Sequence, residues 1–139
     1  MNVYNPVQKR KQSKQVITIW ADNKGRLAQN QFDFSFGDRS ASEHTGYPMC
    51  ASGRILSLAI IGSLQTNAET LNAMFEVTVD GEPKYRFQYE FKQDIESKVL
   101  VLSNPIELKE GDVINIKTLK SVTYSQSCTI SCLIEVNVL

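Results

Sequence analysis

One histidine and three cysteines are all this chain offers toward a structural zinc site or thiol redox chemistry, and neither residue type is arranged for either. A structural zinc site needs four ligands, usually in closely spaced pairs, and no Cys pair with a second pair to complete it is present. No metal or cofactor is therefore expected. Cys128 and Cys132 fall on one alternating run. On a strand they would stand about 13 Å apart, beyond the ~7 Å Cα separation that a disulfide tolerates. They share a face with Ile130, Ile134, Val136 and Val138 and read as small buried hydrophobes. The sequence also lacks a nucleophile-elbow pentapeptide, a Gly-rich phosphate cradle and a pair of metal-binding histidines. His44 reads as an exposed loop residue, and the carboxylate pair Asp94 and Glu96 as solvated charge. The expectation is a protein without enzymatic activity.

A net excess of positive or negative charge is absent too. Lys plus Arg equals Asp plus Glu at fifteen each, and four of the bases (Lys9, Arg10, Lys11 and Lys14) lie in the first fourteen residues, where there is no acid. The remainder holds eleven bases against fifteen acids, a net charge of −4. Such a body offers no broad basic face for counterion release, which argues against a nucleic-acid partner. The basic start runs into Gln12-Ser13-Lys14-Gln15 and not into an apolar segment, so no secretory signal is read. The longest apolar stretch, residues 55–64, contains serines and is too short to cross a bilayer as a helix. No membrane partner is expected.

What is present is alternation with a period of two, punctuated by turn residues, which predicts an antiparallel all-β domain of about eight strands. Val16 to Ala21 would form the first strand, ending at the turn-forming cluster Asp22-Asn23-Lys24-Gly25. Phe32, Phe34 and Phe36 should face one way. Residues 37–48 are the longest irregular stretch and suit either a functional loop or a crossing between sheets. Residues 54–61 are apolar at nearly every position, as in a central strand covered on both faces. Residues 65–71 read as a loop. The clearest hairpin joins Phe75, Val77 and Val79 to Tyr85, Phe87, Tyr89 and Phe91 through Asp80-Gly81. A two-residue turn would set Val77 against Lys84, so a three-residue loop, Val79-Asp80-Gly81, is expected, pairing Val77 with Pro83 and Phe75 with Tyr85. Val99 to Leu102 forms a further strand that Asn104-Pro105 should break. A Gly111-Asp112 turn then feeds a strand over residues 113–119, and a final alternating strand runs to Leu139. That closing unit implies that any anchor lies at the other end. Short strands with one long crossing fit a single antiparallel β-sandwich, a jelly roll, over residues 16–139, preceded by a short extended basic arm over residues 1–15. An immunoglobulin-like sandwich is the second choice, because Cys and Trp are not placed as that fold places them.

The segment 32–37, the Tyr47-Pro48 and Ser52-Gly53-Arg54-Ile55 approach to an apolar strand, the Asp80-Gly81 hairpin, and Leu108-Lys109-Glu110-Gly111-Asp112-Val113-Ile114-Asn115-Ile116 stand together in order. In that order the chain resembles the small jelly-roll modules of phage fibre, tail and head-surface proteins, similar in turn to tumour necrosis factor-like trimeric jelly rolls. The resemblance covers about residues 16–139. It implies a homotrimer in which apolar strand faces meet around an axis, carried on a virion (on the capsid surface, after production in the host cytoplasm). The chain's six Phe, five Tyr and Trp20, in a body of limited interior, suit either surface covered by a neighbour or a single core filled to its rims, and the resemblance selects the former. In this reading Lys9, Arg10, Lys11 and Lys14 anchor the arm on an acidic groove of another capsid or fibre protein, as a head-decoration or short head-fibre protein would be held. The alternative function is a carbohydrate-binding module in which His44 and Tyr47 contact a host surface glycan.

Overall fold

A computed structural model of the chain describes residues 13–22, 34–36, 46–64, 71–92, 94–120 and 126–138. Every element among them is a strand: β1 (Ser13–Asp22), β2 (Ser35–Phe36), β3 (Tyr47–Pro48), β4 (Gly53–Leu64), β5 (Leu71–Val79), β6 (Glu82–Phe91), β7 (Glu96–Leu108), β8 (Val113–Lys120) and β9 (Gln126–Val138). They form two antiparallel sheets, one of five strands in the order β2-β1-β9-β4-β7 and one of four in the order β3-β8-β5-β6. With β2 set aside as a two-residue extension, β1-β9-β4-β7 facing β3-β8-β5-β6 is the strand order of a jelly roll. The chain crosses between sheets repeatedly, so neighbours in space are mostly distant in sequence.

The core lies between the sheets and follows the alternation. Cys128, Ile130, Cys132, Ile134 and Val136 of β9 point inward beside Ile19 and Ala21 of β1, and Phe75, Val77 and Val79 of β5 face them with Phe87, Tyr89 and Phe91 of β6. Phe34 is fully buried and meets Phe75 edge to face with ring centroids 5.5 Å apart, and Phe36 is also buried, so these two phenylalanines share the interior as expected. Phe32 lies outside the described residues. Neither buried cysteine is in a disulfide, and their spacing on one strand precludes one between them.

Bulges reconcile the inward sets. In β4, Ile55 pairs with Ile134 and Ser57 with Leu133, so Leu56 is an extra residue. It flips the parity, which lets Ile55 ahead of it and Leu58 and Ile60 after it all enter the core. Opposite the same point β7 carries four residues, 102–105, between the partners of Ile55 and Ser57. Asn104-Pro105 therefore sits inside β7 as a bulge and does not end the strand. Proline is tolerated there because β7 is an edge strand.

The hairpin differs from its expected register in an instructive way. Val79 pairs with Glu82 across a two-residue turn in which Asp80 (φ 51°) and Gly81 (φ 80°) are both left-handed. The register then shifts, Val77 pairing with Tyr85 and Phe75 with Phe87. The need to set apolar against apolar was read correctly. It is met by a bulge at Lys84, after two paired positions beyond the turn, not by a three-residue loop. The tip docks on β8: Asp80 N donates to Val113 O and Val113 N to Asp80 Oδ1, each at 2.9 Å. Gly111 (φ 89°) turns β7 into β8, where Asp112 N donates to Lys109 O at 3.0 Å. β1 starts at Ser13, three positions before the expected Val16, and Tyr47-Pro48 adds a short strand beside β8 where an irregular stretch was expected.

Candidate interaction surface

Alternation that fills the core with one set of residues fixes the other set on the outside. On the outer face of the five-stranded sheet the register aligns four rows across β1, β9, β4 and β7. They are Val16-Glu135-Arg54-Glu107, Thr18-Leu133-Ser57-Val101, Trp20-Ser131-Ala59-Val99 and Asp22-Thr129-Ile61-Ser97. The two middle rows carry no charge. They hold Trp20 at 59% exposure, Val99 at 65% and Val101 at 82%, with Leu133 half-buried between them, and Ile61 in the next row is exposed. The small side chains Ser57, Ala59 and Ser131 keep the middle of the face low.

Charge frames this band at one end. Glu135 is ion-paired to Lys14 at 3.3 Å and to Arg54 at 3.0 Å, and a shallow polar depression beside them is bordered by Glu107 and Asn137. Partial burial would raise the Glu135 carboxyl, but hydrogen bonds from Lys14 and Arg54 and their positive charges outweigh it and hold the carboxyl below its ordinary value. At the other end Thr129 Oγ1 donates to Asp22 Oδ1 at 2.5 Å. A sheet face with an uncharged centre and an internally paired Glu135 at one end can lie against another copy of the chain with little charge repulsion across that centre. Residues 54–61 thus form a central strand covered on the core side alone: the outer side is apolar and open in the single chain.

The residues singled out from sequence are distributed otherwise. Lys14 belongs to β1, where it pairs with Asn137 of β9 and bridges Glu135, so it is part of the sheet and not of a leader. Tyr47 lies in β3 with its ring half-buried against Phe36, centroids 6.1 Å apart, and not standing clear as a stacking platform. Lys9, Arg10, Lys11 and His44 lie outside the described residues. Missed from sequence were the outward roles of Trp20, Val99 and Val101. The signal was available: once Ile19 and Ala21 are assigned to the core, Trp20 must point away from it.

Burial makes the interior thiols inert. Desolvation pushes Cys132 up to about 12 and raises Cys128 further, with the Asp22 carboxylate adding to the latter. Among the described residues no three His, Cys, Asp or Glu side chains are grouped to hold a metal ion. The chain matches no protein-family model and no curated protein.

Proposed function

We propose that this chain is a non-enzymatic structural protein of a virion, a trimeric decoration or short head-fibre protein of a phage head surface, anchored through the basic residues before β1. The observation that supports this reading is the uncharged central band of the outer face of the five-stranded sheet, with its exposed Trp20, Val99 and Val101, on a jelly-roll frame. A single chain gains nothing by leaving Trp20, Val99 and Val101 exposed on one face, since a fully buried apolar side chain is worth on the order of 1.5–3 kcal/mol. Three copies meeting through this face would remove it from solvent. The chemistry of the arm supports the second half of the proposal: Lys9, Arg10 and Lys11 form a compact cationic segment without an acid, suited to an acidic groove between capsid subunits. The carbohydrate-binding alternative draws no support from Tyr47, whose ring packs against Phe36.

Because β1 begins at Ser13 and Lys14 holds Glu135, the informative truncation removes residues 1–12 and leaves the sheet intact. The truncated protein should keep its assembly state and lose binding to capsids of its own phage in a co-sedimentation assay. Binding at the wild-type level by the truncated protein would rule out the anchor.

A further inference from the structure

A second feature lies at the open margin of the sandwich, between the edge strands β6 and β7. The chain leaves β6, an edge of the four-stranded sheet, and enters β7, an edge of the five-stranded one, without the two strands pairing. The cavity at this margin, about 390 Å³, falls in the range of small-molecule sites. Tyr85, Phe87, Leu100 and Met74 supply its apolar wall, and Tyr85 and Phe87 lie nearly parallel, 24° apart. Arg86, Lys98 and Gln88 supply its polar rim.

The two cations are held in place from behind. Arg86 Nε donates to Glu76 Oε2 at 2.7 Å, and Glu76 is 4% exposed while the Arg86 side chain is 65% exposed. A buried carboxylate thus grips the inner edge of the guanidinium, and its Nη amines have no hydrogen-bond partner among the described residues. Glu76 also stands opposite Lys117 in the β5–β8 register. Lys98 Nζ donates to the Gln88 carbonyl at 3.3 Å across the gap between the strands, a single neutral contact that leaves two ammonium donors. That bond shows the Gln88 carbonyl facing the free edge of β6. A fixed guanidinium fork beside an ammonium group matches a carboxylate, and the aromatic wall matches an apolar skeleton carrying it.

We propose that the β6–β7 cleft binds a small organic acid, its carboxylate between Arg86 and Lys98 and its apolar side on Tyr85, Phe87 and Leu100. Two sources share this chemistry, an apolar acid and the acidic sugar of a glycan. The test is titration of the full chain with 3-phenylpropionate and with glucuronate, followed by calorimetry and by amide NMR shifts. 3-Phenylpropanamide and glucose serve as uncharged counterparts. At least one acid should bind saturably, about tenfold or more tighter than its counterpart, with the largest shifts in β6 and in β7 around Leu100. Tighter 3-phenylpropionate assigns an apolar acid and tighter glucuronate an acidic sugar, and both support the site. Lys98→Met, which gives up only the bond to a backbone carbonyl, should weaken binding about tenfold. Arg86→Gln combined with Glu76→Gln, which leaves no unpaired buried charge, should weaken it at least as much. Equal binding of an acid and its counterpart, no saturable binding of either acid at millimolar concentration, or unchanged affinity in both variants overturns the proposal. Its failure leaves the trimeric reading untouched, because the cleft and the apolar face are on different surfaces.

Discussion

Removing one oxygen from Tyr89 tests how the two sheets are tied together. Its ring is buried with the β6 aromatics, and its hydroxyl crosses to the five-stranded sheet, accepting from Gly62 N at 3.1 Å. It has one proton to give, shared between Gly62 O at 2.9 Å and Glu96 O at 2.5 Å. Gly62 and Glu96 are register partners on β4 and β7, so a single phenol clamps both strands to β6. Burial raises the phenol above its ordinary value of 10.0 despite the bond to Gly62, so it is the protonated, donating form at neutral pH. Tyr89→Phe keeps the ring and its edge-to-face contact with Phe91 but strips partners from a buried amide and a carbonyl, a loss of about 1–3 kcal/mol. We expect about 2 kcal/mol, and for a domain of this size a fall in Tm of roughly 5–10 °C. Urea unfolding followed by circular dichroism at one fixed protein concentration measures it, with the midpoint lowered and the slope unchanged. Tyr85→Phe is the control, since the Tyr85 hydroxyl makes no hydrogen bond among the described residues. A change below about 0.5 kcal/mol for Tyr89→Phe, or equal losses for both variants, would refute the clamp.

Thiol accessibility and acid stability give two further checks. Of the three cysteines, only exposed Cys50 should react with a thiol reagent in the native protein at pH 8, with Cys128 and Cys132 reacting on unfolding; prompt labelling of more than one would contradict the buried β9 face. Glu135 has a depressed carboxyl in the folded state, so its ion pairs stabilise the protein above its ordinary value of 4.5 and are lost as pH falls through the lower folded value. Glu135→Gln should therefore be less stable than wild type at neutral pH and converge with it in acid, a difference read from unfolding midpoints at pH 7 and pH 3; a gap that stays constant would show that Lys14 and Arg54 contribute nothing through charge.

Much of the fold was legible because the inward set follows simple alternation. β9 shows this best: five core residues at every second position, with both cysteines among them. What the sequence concealed was local backbone accommodation. A bulge adds one residue and inverts the parity of everything beyond it, and the residues that form these bulges, Leu56 and Lys84, carry no distinctive signature. Asn104-Pro105 carried a strong signature for the wrong event, because proline ends a central strand yet is accommodated on an edge, and edge position is set by tertiary pairing. Tyr47-Pro48 is a strand only because β8 lies alongside it. The interaction surface was half legible. Residues 54–61 announced an apolar outer side, but which strands flank it, and hence that Trp20, Leu133 and Val101 join it, depends on the β1-β9-β4-β7 order that no local pattern encodes.

We propose that copies of this chain meet on the outer face of the five-stranded sheet, and sedimentation equilibrium of the wild-type protein decides it. The prediction is a stable species of three times the 15.6 kDa chain mass at micromolar concentration, reduced to one chain mass, still folded by circular dichroism, when Val101→Asp places a charge in the neutral band. A folded wild-type monomer across the concentration range, or a Val101→Asp trimer as stable as wild type, would contradict it.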